Sequence, residues 1–166
     1  MNTLYTVLTC GLVPLVIGLL WYSPKTFAPA WMKVSGVPEE KLKSGNMPLI
    51  FGLTYFFGCL ISFFMMTVVI HQTHVFSIFA GDPASSDANS EIGKYLADFM
   101  AKHGQNFRTF KHGAFHGIIS SLFFVMPVIA INALFERRGF KYVAIHTGYW
   151  MITLAIIGGL MCQFAM

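Results

Sequence analysis

Five of the six histidines cluster around one stretch of the chain. His71 and His74 lie three residues apart at the end of an apolar run, and His112 and His116 lie four apart at the start of the next. Both spacings put the two members of a pair on one face of a helix. Imidazole suits zinc, copper, nickel or iron, so a transition-metal site drawn from His71, His74, His112 and His116 is one expectation, and no other cofactor is expected. The same side chains suit helix ends and hydrogen bonding at a membrane surface, and imidazole titrates near neutrality, which suits proton traffic. His116 fits the bland role least well. It lies about one turn inside its run, on one face with Ser120 and Pro127, and polar groups at that depth in a membrane are functional candidates by default.

A second polar group combines Asn132 and Glu136, one turn apart at the end of the third apolar run, with His146 early in the fourth. A tight turn joins the two runs, so His146 is expected within reach of Asn132, as a relay for protons or as a hydrogen-bonded lock. Other chemistry is missing. There is no glycine-rich phosphate loop, no Gly-x-Ser-x-Gly elbow and no His-Glu-x-x-His. No carboxylate falls inside an apolar run, so no catalytic residue is assigned and an enzyme is not expected. Cys10, Cys59 and Cys162 are odd in number and widely spaced, and they imply neither a disulfide framework nor a zinc motif.

The elements that must position these residues are membrane spans. Of 166 residues, 55% are hydrophobic and 11% charged, and the mean hydropathy is +0.63. A soluble domain carries about 25% charged residues, and one this small has too much surface to hide such an apolar content. A span needs roughly 20 apolar residues. Four runs qualify, at 3–22, 48–70, 112–135 and 142–164, none with Asp, Glu, Lys or Arg. Residues 1–22 also lack the basic n-region of a secretion signal. Pro14 and Pro127 should kink their helices. The expected fold is an all-α integral membrane protein, a single domain over 1–166, with four transmembrane helices in an antiparallel bundle.

Loop 1 (23–47) and loop 3 (136–141) together carry Lys25, Lys33, Lys41, Lys43, Arg137, Arg138 and Lys141. In loop 2 (71–111) four cations are offset by Asp82, Asp87, Glu91 and Asp98. The positive-inside bias puts loops 1 and 3 in the cytoplasm, and both termini and loop 2 outside. Within loop 2, Ile92, Tyr95, Leu96, Phe99 and Met100 recur at helical spacing after a Ser90 or Asn89 cap, predicting a short amphipathic helix near 91–103 at the membrane surface. Small residues in the spans (Gly11 and Gly18; Thr54, Gly58 and Ser62; Gly148, Ala155, Gly158 and Gly159) mark helix contacts within the chain or an oligomer seam.

At the end of the first run stands Trp21-Tyr22-Ser23-Pro24-x-x-Phe27-x-x-x-Trp31. Further on come His116-Gly117, Pro127, Asn132-x-x-Phe135-Glu136, Gly148-Tyr149 and Gly158. Together these resemble the bacterial membrane family catalogued as domain of unknown function 1761, over most of the chain outside loop 2. The resemblance implies a small four-helix protein of the bacterial cytoplasmic membrane with no assigned activity and no catalytic residue to carry over. The aromatic motif also has a plain physical reading, since Trp and Tyr anchor a helix at the interface and Ser-Pro ends it. The expected function is non-enzymatic, through assembly as a homo-oligomer or as an accessory subunit of an envelope complex. The partners are lipid and protein rather than nucleic acid. A small transporter or channel, or metal binding by the histidines, is the alternative.

Overall fold

The computed structural model describes residues 2–165, and all regular structure among them is helical. Four stretches are long and apolar enough to cross a membrane: Thr3–Trp21, Met47–Val69, Phe110–Phe135 and Phe140–Phe164. Each lies within two residues of the run expected from hydropathy.

The first span is two helices, α1 (Thr3–Cys10) and α2 (Val13–Trp21). They are parted at Gly11 and Leu12, and Pro14 sits in the first turn of α2, where its missing N–H is no loss. After the Ser-Pro turn come α3 (Ala28–Ser35) and the short α4 (Glu39–Lys43). Asn46 caps the second span, α5 (Met47–Val69), by accepting from the Leu49 N–H at 3.2 Å. Loop 2 holds more structure than its polarity suggests. The chain bends at Ile70, whose side chain is fully buried, and restarts as α6 (Gln72–Ile78). A 3₁₀ turn at Pro83–Ser86 leads to α7 (Glu91–His103), capped by Ser90 on the Gly93 N–H at 2.8 Å.

The third span runs as α8 (Phe110–Ser120), one wide π turn at Ser121–Val125, and α9 (Met126–Phe135). Pro127 supplies the cause. It cannot donate to the carbonyl four residues back and its ring clashes there, so the ladder widens. A turn at residues 136–139 leads into α10 (Phe140–Phe164).

Helix α10 is the central element. It packs against α1, α2, α5, α8 and α9, and 44% of its most apolar stretch is buried, against 11% for the third span. Its closest partner is α8, and glycine is the reason. A side chain at Gly113 would strike the Gly158 carbonyl, and one at Gly117 the Leu154 carbonyl. Gly58 meets the Gly11 backbone in the same way, and Gly148 lies under the Trp21 ring. Small residues let helix backbones approach where lipid gives no hydrophobic drive. The buried apolar core forms one cluster, in which Val69, Ile70, Met161 and Cys162 join Val7 and Cys10.

Candidate metal centre

Gly113 and Gly117 are each preceded by a histidine. The glycines press α8 onto α10, so His112 and His116, about 100° round the helix from them, look toward the end of α5. There the chain bends at Ile70 and presents His71. The Nε2 atom of His71 lies 3.1 Å from Nε2 of His112 and 3.3 Å from Nε2 of His116. The ligand atoms of all three rings fall within 4.8 Å of one another. His71 is exposed and the other two are half-buried.

One shared proton accounts for only one pair of rings. A neutral imidazole nitrogen either donates one hydrogen bond or accepts one, so Nε2 of His71 satisfies one neighbour and leaves the other facing it. A single cation could take all three as ligands. With metal–nitrogen bonds of about 2.0–2.1 Å, two ligands of a tetrahedral ion stand about 3.3 Å apart, which matches the two short separations. Three nitrogen ligands leave a fourth position for water or another ligand.

The surroundings fix the triad. The Gln72 amide donates to the carbonyls of His103 and Asn106, at 3.1 and 2.8 Å, tying α6 to the end of α7. The Phe107 ring lies 5.3 Å from that of His112, on a residue with φ of 59°. Arg108 donates to the carbonyl of Ala165, closing this end over α10. Burial holds its guanidinium below its ordinary value. A 360 Å³ pocket beside the triad is lined by His71, Gln72, Val75, Phe99, His103, Asn106 and Phe107.

His74, expected with the other three, is not in the group. It is exposed on α6, because the bend at Ile70 separates the direction of α6 from that of α5. Ser120 lies one turn from His116, against an apolar cleft rather than at the triad.

At the other end, His146 does not meet Asn132. Asn132 and Glu136 are exposed, since Ala133 is the residue that α9 turns inward, at 1% exposure. Glu136 has only a 3.9 Å approach from Arg138. His146 pairs instead with Tyr22, whose hydroxyl lies 3.1 Å from Nδ1, while its Nε2 is buried without a hydrogen-bond partner.

The aromatic motif supplies this contact. Trp21 donates to the Ile145 carbonyl at 3.1 Å, Phe27 stacks on Trp21 at 4.2 Å, and Trp31 meets Tyr22 edge-on at 5.7 Å. Thr26, lodged in the turn after Ser23 and Pro24, donates to the Trp21 carbonyl at 2.6 Å. Burial pushes the Tyr22 phenol above its ordinary range. The motif thus locks the first span onto α10. Sequence reasoning missed two partners here. The Gly113-x-x-x-Gly117 spacing was readable as a helix contact, whereas nothing in the sequence joined Tyr22 to His146.

A chain with four membrane-length apolar helices and a convergent histidine triad at one end belongs among small multi-pass membrane proteins. The family model described as "Protein of unknown function (DUF1761)" matches residues 5–162, nearly the whole chain, and the protein belongs to that family. No curated protein and no solved structure matches it.

Proposed function

We propose that this protein binds a single transition-metal ion at the membrane surface through His71, His112 and His116, and that it does so without being an enzyme. The observation that carries this reading is the meeting of three Nε2 atoms from two separate spans. An open fourth position makes the ion exchangeable, which suits capture or buffering of a metal and its passage to another carrier. The charge asymmetry of the loops supports an antiparallel bundle in a cytoplasmic membrane, with the triad and loop 2 outside and loops 1 and 3 inside. In that setting α7 lies along the outer surface with its apolar face inward.

Assembly as a homo-oligomer or accessory subunit, and transport, are the competing readings. Metal binding is favoured over assembly because the glycines that would mark an oligomer seam are engaged within the chain, at Gly11 with Gly58 and at Gly113 with Gly158.

The test is elemental analysis of tag-free protein from metal-replete cells, with zinc titration of the stripped protein. About one metal per chain is expected, and His112→Ala or His116→Ala should weaken binding by at least about tenfold. A metal content near zero in wild type, or unchanged affinity in both variants, would overturn the reading.

A further inference from the structure

The 360 Å³ pocket between α6 and α7 borders the triad. His71 forms one wall, and Phe107, whose ring lies 5.3 Å from that of His112, forms another. Val75 of α6 and Phe99 and His103 of α7 close the sides. His103 is not a fourth metal ligand. It stands outside the group whose ligand atoms lie within 4.8 Å of one another, and the side-chain amide of Asn106 meets its Nδ1 at 3.1 Å. With Nδ1 accepting that N–H, the neutral ring carries its proton on Nε2. His103 thus offers the pocket a hydrogen-bond donor, where the triad offers lone pairs. Gln72 spends its amide N–H groups on two backbone carbonyls.

A divalent ion on the triad calls for an anion. Three neutral imidazoles leave it its full charge, and among the described residues no Asp or Glu joins the triad or lines the pocket. Two of its ligands are half-buried, where an uncompensated charge is costly. Hydroxide is too small for the space, since a water-sized group takes about 30 Å³ against the 360 Å³ beside the triad. Val75, Phe99 and Phe107 make much of that space apolar, which suits CH₂ groups better than a strongly hydrated inorganic anion. We infer that, with an ion on the triad, this pocket binds a short-chain monocarboxylate. Its carboxylate is shared between the ion's fourth position and the Nε2–H of His103, and its chain lies against Val75, Phe99 and Phe107. The inference rests on the metal site proposed above.

Cobalt(II) in place of zinc makes the fourth position visible, because its d–d absorption shifts when an anion replaces water. The full chain in detergent is loaded with one cobalt and titrated with acetate, propionate and butyrate. The shift should saturate, and each added CH₂ should lower the midpoint by about two- to fourfold. His103→Leu should raise the butyrate midpoint by about tenfold or more, with cobalt affinity as in wild type. Val75→Phe, which fills the pocket, should weaken butyrate more than acetate. His74→Ala, outside the pocket, should change neither. Cobalt that binds without a saturable shift, or equal midpoints for the three acids, would overturn the carboxylate site and leave the metal site standing. A butyrate midpoint unchanged in both His103→Leu and Val75→Phe would also overturn it. The wild-type series decides even where a variant loses its cobalt. If wild type binds neither cobalt nor zinc, the metal reading falls and the carboxylate site with it.

Discussion

The side chains that matter here are distinguished by partners their own helices could not supply. Tyr22 and His146 are 124 residues apart and share a hydrogen bond in a half-buried aromatic cluster. Tyr22→Phe keeps the ring stacking and leaves the Nδ1 of His146 unpaired, so a loss of about 1–3 kcal/mol is expected, read as a lower unfolding temperature in detergent. The pH dependence follows from the raised phenol. Unfolded tyrosine ionises near pH 10 and folded Tyr22 above that. Its contribution is therefore fully present below about pH 10 and is lost as pH rises toward the folded value. An ultraviolet titration of wild type against Tyr22→Phe should differ only above the range where the exposed tyrosines ionise. His74→Ala is the matching control at the other end. It should leave zinc affinity unchanged, because that ring stands apart from the triad. The i, i+4 pair of His112 and His116 was legible from spacing alone. His74 was misplaced because periodicity presumes one continuous helix, and the bend at Ile70 is set by burial in a core contributed by other spans.

At the level of elements, the arrangement His-Gly-x-x-His-Gly in α8 does two things at once. Its glycines seat α8 on α10, and its histidines are thereby aimed at the end of α5. Gly117→Leu should push α8 away from the Leu154 carbonyl, costing about 1–3 kcal/mol or more by overpacking. It should also weaken metal binding without altering a ligand. Gly52→Ala, with open space around it, should do neither. The π turn at Ser121–Val125 has a separate cause in Pro127. Pro127→Ala restores the missing donor, so hydrogen exchange across that turn should slow, with zinc affinity unchanged. Helix α6 was not legible, since seven residues in a polar loop carry too little periodicity to stand out. The tight turn between the third and fourth runs suggests that His146 reaches Asn132. The turn at residues 136–139 and the buried Ala133 set that helix face otherwise.

For the whole molecule, hydropathy placed all four spans because the bilayer demands length and apolarity of each segment separately. Which span lies at the centre is a different matter, decided by surfaces matched between distant segments. The orientation proposed above is checked by cysteine substitution. Ser86→Cys in loop 2 should react with an impermeant maleimide on intact cells, and Ser44→Cys in loop 1 only after the membrane is opened. The central place of α10 has a consequence for biosynthesis. Chains are made from the N-terminus at about 5–20 residues per second, so the first three spans enter the bilayer before the helix they all pack against has left the ribosome. During that interval the backbones of Gly113 and Gly117 face lipid instead of Leu154 and Gly158. The first two spans can already meet at Gly11 and Gly58 during that interval, whereas the packing of every span on α10 closes in one late step when the fourth arrives.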